Sequence, residues 1–166
     1  MKNIYLIGMM GCGKSTCAAA LGKQLKLPVL DTDREIERQA GKTVSEIFAQ
    51  NGEEYFRQAE TRLCSELARR NDLIVATGGG LPLREENRAL LRQSGLVVFL
   101  NRAPEEIFDT GDMSSRPLAQ QGRAAFLERF AQRLPLYRAC AHVEIVEFSS
   151  PQATVAEILN DMEGQL

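Results

Sequence analysis

Short, wholly apolar runs alternate along this chain with longer stretches in which apolar residues recur every three or four positions. Ile4-Tyr5-Leu6-Ile7, Pro28-Val29-Leu30, Leu73-Ile74-Val75-Ala76, Leu96-Val97-Val98-Phe99-Leu100 and Val143-Glu144-Ile145-Val146 are strand candidates. The fourth is apolar on both faces, as a parallel strand covered from both sides requires. The fifth alternates and is expected at a sheet edge. Between them, residues 15–27 set Ala18, Leu21 and Leu25 on one helical face, and residues 53–70 do the same with Phe56, Ala59, Leu63 and Leu67. Residues 123–134 repeat the pattern with Phe126, Leu127, Phe130 and Leu134, where Pro135 is expected to end or kink the helix. Val155, Ile158, Leu159 and Met162 give a closing helix. Strand–helix alternation predicts an α/β fold of three layers, a parallel sheet with helices on both faces. One segment breaks the rhythm: residues 110–122, TGDMSSRPLAQQG, are polar, with a glycine near each end. A loop of that length inside a small domain is expected to be a functional lid.

Composition narrows the picture. A length of 166 residues predicts a single domain spanning 1–166, and 44% hydrophobic with 25% charged residues is ordinary for a globular chain. Twenty Lys and Arg against 22 Asp and Glu leave a net charge of −2, which argues against a nucleic-acid binder working by bulk charge. No apolar run approaches the roughly 18 residues of a membrane span, and the Met1-Lys2-Asn3 start lacks the apolar core of a signal peptide. The four cysteines, Cys12, Cys17, Cys64 and Cys140, form no CxxC pair and are expected as reduced thiols of a cytoplasmic protein. The single histidine, His142, stands at a strand start and is expected to be structural. Nothing in the pattern suggests a large exposed apolar face, so a monomer is expected.

The strongest chemical signal is Gly8-Met9-Met10-Gly11-Cys12-Gly13-Lys14-Ser15-Thr16, which fits G-x-x-x-x-G-K-[ST] between a strand and a helix. Glycines let successive backbone N–H groups point at one anion, and the following helix adds its N-terminal partial charge. Lys14 then supplies a point charge for the β- and γ-phosphates, and the Ser15 hydroxyl a ligand for Mg²⁺. Gly11, Cys12, Gly13, Lys14, Ser15 and Thr16 are therefore expected to bind a nucleotide. A guanine-specific switch would carry an N-K-x-D motif, but the fourth strand ends Leu100-Asn101-Arg102-Ala103. Catalysis is favoured over switching.

Val29-Leu30-Asp31-Thr32-Asp33 is the strand candidate that runs directly into aspartate. Asp31 is expected in the metal shell. Asp33, two residues on, reaches toward a second substrate as a general base or orienter of a hydroxyl. Thr32 and Glu35 form a T-x-x-E capping pattern, so a purely structural role as helix caps stands beside this one. Thr77-Gly78-Gly79-Gly80 closes the third strand, and its glycines let a ligand approach the backbone. Arg57 and Arg133 would grip a carboxylate or phosphate by bidentate forks if they converge there. Spacing alone leaves Arg57 open to a surface pair with Glu53 or Glu60, and Arg133, before Pro135, to capping a helix end. Arg116 lies in the expected lid. These residues describe a phosphotransferase with a small anionic alcohol as acceptor.

GMMGCGKST, LDTD at 30–33, FRxxE at 56–60, ATGGG at 76–80, RPL at 116–118 and RxPLY at 133–137 occur in order over nearly the whole chain. Together they resemble the shikimate kinase family. The resemblance implies a P-loop NTPase fold of the nucleoside-monophosphate-kinase type, with a five-stranded parallel sheet in the order 2-3-1-4-5. It implies Mg²⁺-dependent transfer from ATP to the 3-hydroxyl of shikimate, in aromatic amino-acid biosynthesis. Asp33, Arg57, Gly79 and Arg133, with Gly78 and Gly80 beside them, would then hold shikimate, and Glu60 would orient Arg57. Arg116 would stabilise the transferring phosphoryl group. Arg116 and Pro151 would also lie on the nucleotide side. Residues 33–60 would form a substrate-binding subdomain and 110–122 the lid. The resemblance departs at Asp109, where an arginine is frequent, and at Ser149-Ser150-Pro151, where a basic residue is common. Two alternatives remain: a P-loop kinase for gluconate or a nucleoside monophosphate, and a non-catalytic nucleotide-binding regulator.

Overall fold

The structure, a computed structural model, describes residues 2–110 and 122–165. Strand β1 (Asn3–Ile7) is buried along its whole length and is the axis of the molecule. It pairs in parallel with β3 (Ile74–Ala76) on one side and β4 (Gly95–Leu100) on the other. Strand β2 (Val29–Asp31) adds to β3, and β5 (Val143–Ile145) adds to β4. Among the described residues this gives a five-stranded sheet in the order β2-β3-β1-β4-β5. The expectation that the fifth strand lies at an edge is met, with exposed Glu144 between buried Val143 and Ile145.

Parallel strands need crossover segments, and here helices supply them. Helix α1 (Lys14–Leu25) packs on β1 and β3, and beside it the closing helix α8 (Pro151–Gln165) packs on β5. Helices α5 (Glu85–Ser94) and α7 (Arg123–Cys140) pack on β4 and on each other. Helix α6 (Pro104–Thr110) lies against α7. Helices α2 (Thr32–Ala40), α3 (Val44–Asn51) and α4 (Glu53–Leu67) pack on one another, α2 also on β2 and α4 also on α5, and their buried apolar residues join the common core. Phe56, Leu63 and Leu67 are buried on α4 as the sequence pattern expects, and Ala59 is half-buried.

Of the two outcomes expected at Pro135, an end or a kink, helix α7 does not take the first. It runs on to Cys140 with Pro135 inside it. Proline removes one N–H and crowds the carbonyl four residues earlier. Both Pro135 and that earlier residue, Ala131, are exposed, so water can satisfy the freed carbonyl. Buried Phe126, Phe130, Arg133, Tyr137 and Cys140 hold the other face of the helix in place.

Candidate active site

The phosphate loop joins β1 to α1 at the carboxyl edge of the sheet. Gly11 and Gly13 have φ of 81° and 102°, a region that side chains disfavour. Gly13 is also the N-cap of α1 and contributes no side-chain cap, so no side chain takes the first N–H groups of the helix. Lys14 is only 9% exposed, and its Nζ donates to the carbonyl oxygens of Gly8 at 2.6 Å and Met9 at 2.8 Å. The ammonium is thus held inside the loop. Ser15 Oγ donates to Asp31 Oδ2 at 3.2 Å, which brings the two oxygens expected at a metal side by side.

A cavity of about 420 Å³ opens over the loop. Its wall takes Lys14, Ser15 and Thr16 from α1, Asp31, Asp33 and Arg34 from the start of α2, and Gly78 and Gly79 from the turn after β3. The start of α2 differs from the T-x-x-E reading. Asp31, not Thr32, is the N-cap, and its Oδ1 accepts from the Arg34 N–H at 3.2 Å. Thr32 is buried, and its Oγ1 accepts from the Gly78 N–H at 2.8 Å. That bond ties the aspartate-bearing turn to the glycine turn. A threonine N-cap occurs later, at Thr43 of α3, whose hydroxyl accepts from the Glu46 N–H and donates to the Glu46 carboxylate, both at 3.1 Å.

The three glycines serve as approach points. A Cβ on Gly78 would stand 2.5 Å from Asp33 Oδ1 and 3.3 Å from Glu60 Oε2. A Cβ on Gly79 would stand 3.3 Å from Arg133 Nη1, 3.4 Å from the Met10 nitrogen and 3.6 Å from the Gly8 carbonyl oxygen. One on Gly80 would collide with the Arg57 guanidinium. Arg57 and Arg133 therefore converge on adjacent residues, a point that spacing left open. Arg57 Nη1 donates to Glu60 Oε1 at 2.7 Å, and its second pairing, with exposed Glu53, is longer at 3.5 Å. Glu60 is wholly buried. Arg133 is not at a helix end: it lies within α7, 5% exposed, with Nε lacking a partner. Tyr137, one turn on, donates to the Gly79 carbonyl at 2.7 Å. Tyr137, the last residue of the RxPLY motif, thereby ties α7 to the glycine turn, a role its place in the motif does not itself indicate.

Electrostatics set this corner apart. Burial pushes the Asp33 carboxyl up to about 6, and the neighbouring Asp31 pushes the same way against Lys14 and Arg57. Burial pushes Glu60 up to about 7, with Asp33 adding to the rise and Arg57 and Arg133 opposing it. Asp33 Oδ1 and Glu60 Oε2 are both buried atoms with no hydrogen-bond partner. Two carboxylates and two guanidiniums are thus gathered around a few backbone atoms beside the phosphate loop. Such a set can bind an acid through the arginines and accept a hydroxyl hydrogen bond at Asp33.

Other expected residues stand apart. Arg116 and positions 111–121 of the expected lid lie outside the described residues. At the flanks of that segment, Arg123 donates through Nε and Nη2 to the two oxygens of Asp109, at 3.0 and 3.2 Å. Pro151 opens α8 and lines a different cleft, with Ala20 and Gln24 of α1. Cys12 is buried in the loop, and all four cysteines are free and buried. His142 Nδ1 accepts from the Val97 N–H at 2.9 Å, the structural role expected for it. Arg34, on the cavity wall, was not singled out from the sequence. Its place directly after the DTD triplet was the available signal.

The shikimate kinase family model matches residues 10–163. Among curated relatives, the shikimate kinase of Clostridium botulinum (strain Eklund 17B) is 40% identical over 95% of this chain and 96% of its own. That of Ralstonia nicotianae is 42% identical over 100% of this chain and 87% of its own. Among solved structures, the shikimate kinase from Acinetobacter baumannii in complex with shikimate superposes with a TM-score of 0.92 at 37% identity, covering 99% of this chain and 94% of that one. The APS kinase CysC of Mycobacterium tuberculosis, at 15% identity and a TM-score of 0.63, shares the fold alone.

Proposed function

Because the chain belongs to the shikimate kinase family, we propose that its cavity is where the γ-phosphoryl group of ATP passes to the 3-hydroxyl of shikimate. The activity is that of a kinase in aromatic amino-acid biosynthesis, with ATP as co-substrate. One observation carries the residue assignment: Asp33, Arg57 and Arg133 meet around Gly78–Gly80, next to the phosphate loop.

Shikimate is a ring acid with three hydroxyls. Its carboxylate is held by Arg57 and Arg133, whose planar forks match a carboxylate better than a lysine point charge does. Glu60 fixes Arg57 from beneath, and Tyr137 fixes the Gly79 backbone. Gly78, Gly79 and Gly80 let the Asp33 carboxyl and the two guanidiniums lie close against the backbone, where a side chain would push them aside. Asp33 accepts the hydrogen bond of the reacting hydroxyl and orients its oxygen for in-line attack. Gly11, Cys12, Gly13 and Thr16 offer backbone N–H groups to the nucleotide phosphates. Lys14 neutralises charge on the β- and γ-phosphates once it leaves the Gly8 and Met9 carbonyls. Arg116 and Pro151 are assigned to the nucleotide side on the resemblance alone, as are the lid at 110–122 and a substrate-binding subdomain at 33–60.

Ser15 and Asp31 are where Mg²⁺ belongs. Two adjacent hard oxygens at the edge of a phosphate cavity suit an ion that takes one or two protein ligands and fills the rest with phosphate and water. Bound there, it supplies charge neutralisation on the phosphates. The free, buried cysteines fit a cytoplasmic enzyme, and we take it to act as a single-domain monomer.

A coupled ADP-release assay over shikimate, gluconate and the nucleoside monophosphates tests this reading. Turnover stimulated by shikimate and not by the others is expected. Stimulation by gluconate or a monophosphate instead, or ATP binding without any acceptor-stimulated turnover, would overturn it.

A further inference from the structure

Arg34 is an arginine whose position gains it nothing structurally. It is the third residue of α2, inside the first turn, where the exposed N–H groups already present positive charge. A cation there is disfavoured, and the first turn otherwise carries the acids Asp33 and Glu35. Among the described residues, the Arg34 guanidinium forms no ion pair and no hydrogen bond. The nearby residues of α2 are engaged elsewhere or wrong in sign. Glu35 is taken by Arg38 at 2.6 Å, and Glu37 Oε2 accepts from the Val44 N–H at 2.9 Å. The residue four positions on is Arg38, a like charge.

What Arg34 does have is a place on the wall of the phosphate cavity. It also lines, with Ser15 and Asp31, the groove of about 450 Å³ between α1 and α2. It therefore stands on the flank where Ser15 and Asp31 stand. Arg57 and Arg133 approach from the other turn, at Gly79 and Gly80. The charged groups on the cavity wall are Lys14 and Arg34 against Asp31 and Asp33. Without Arg34 the wall is net negative before a polyphosphate enters.

We infer that Arg34 is a further nucleotide-binding residue, contacting the β- and γ-phosphate oxygens from the Ser15–Asp31 side. The inference rests on the phosphate loop holding ATP, as proposed above. Its contribution falls on the polyphosphate and not on the acceptor or the base. A charge-assisted contact of an exposed arginine predicts about a five- to fifteenfold effect.

The test compares wild type with Arg34→Gln and Arg34→Lys as full chains. Calorimetry would follow ATP, ADP and AMP, and steady-state kinetics would give kcat/KM for ATP and KM for shikimate. Arg34→Gln should lose about five- to fifteenfold in ATP and ADP affinity and in kcat/KM for ATP. AMP affinity and the KM for shikimate should stay within about twofold, and Arg34→Lys should recover part of the loss. The melting temperature of Arg34→Gln should not fall, since a cation leaves a helix N-terminus. Unchanged ATP and ADP affinity would overturn the inference, as would an equal loss for AMP or shikimate. Wild type failing to bind ATP would instead count against the phosphate-loop reading itself.

Discussion

Glu60 holds the Arg57 guanidinium at 2.7 Å from a position with no solvent exposure. Its second oxygen, Oε2, has no hydrogen-bond partner and faces the Gly78 backbone, which Asp33 also faces. A buried carboxylate half-satisfied by one arginine fixes that arginine's direction, because the guanidinium cannot turn away without stranding the charge. Glu60→Gln keeps the shape and weakens this hold. The KM for shikimate should rise about tenfold, as loss of one charge-assisted contact predicts, while the KM for ATP stays within about twofold. Initial-rate kinetics with each substrate varied separately checks this.

Gly80 tests the same arginine from the other side. An alanine Cβ there would collide with both terminal nitrogens of Arg57. The guanidinium is the far end of a flexible side chain, so it moves and the fold holds. Gly80→Ala should therefore fold but melt below wild type, because the shift loosens the pairing with buried Glu60, and raise the KM for shikimate at least about tenfold. An unchanged KM would place the acceptor away from this turn.

The raised carboxyls give two pH trends of opposite sign. Asp33 must be ionised to accept the hydroxyl hydrogen bond, and burial holds it up to about 6, well above the ordinary carboxylate range. kcat/KM for shikimate, which reports the free enzyme, should therefore fall as pH drops through about 6. Stability moves the other way. An acid whose pKa is higher folded than unfolded keeps its proton in the native state where the unfolded chain has already lost it. Native stability from Asp33 and Glu60 thus declines as pH rises from about 4 to about 7, then levels off. Asp33→Asn should be more stable than wild type at pH 8, by about 1–3 kcal/mol. Near pH 4 it should be no more stable. Thermal melts of both proteins across that range check the sign, and a gap that does not widen with pH would contradict it.

The strands themselves and the phosphate loop were legible because each is local, whereas the order of the strands in the sheet came from the family resemblance. A five-residue apolar run predicts a buried strand, and G-x-x-x-x-G-K-S predicts its own turn. Helices α3, α5 and α6 were not expected. They are short, and α5 buries only Asn87 and Leu91 of its ten residues, too few to set a period. Pro135 does not end α7, because a proline rule cannot know which face of a helix is wet; here both it and Ala131 are exposed. The start of α2 misled by one residue, because Asp31 and Thr32 are both good caps and only the Gly78 N–H, 46 positions away, decides between them. The meeting of Arg57 with Arg133 is likewise a property of packing: α4 and α7 bring them to Gly79 and Gly80 from distant parts of the sequence. Arg133, read as a helix-end residue, is among the most buried charges described. The family resemblance supplied that convergence where spacing did not.

Asp33, set 2.5 Å from where a Gly78 side chain would begin, is the residue on which the proposed transfer depends. Replacing it with asparagine keeps the size and removes the charge that orients the attacking hydroxyl. Two readouts on one sample decide the matter: kcat with ATP and shikimate saturating, and shikimate affinity by calorimetry. Asp33→Asn should lower kcat at least about a hundredfold, while shikimate affinity falls by no more than about tenfold. A kcat within about threefold of wild type would contradict it.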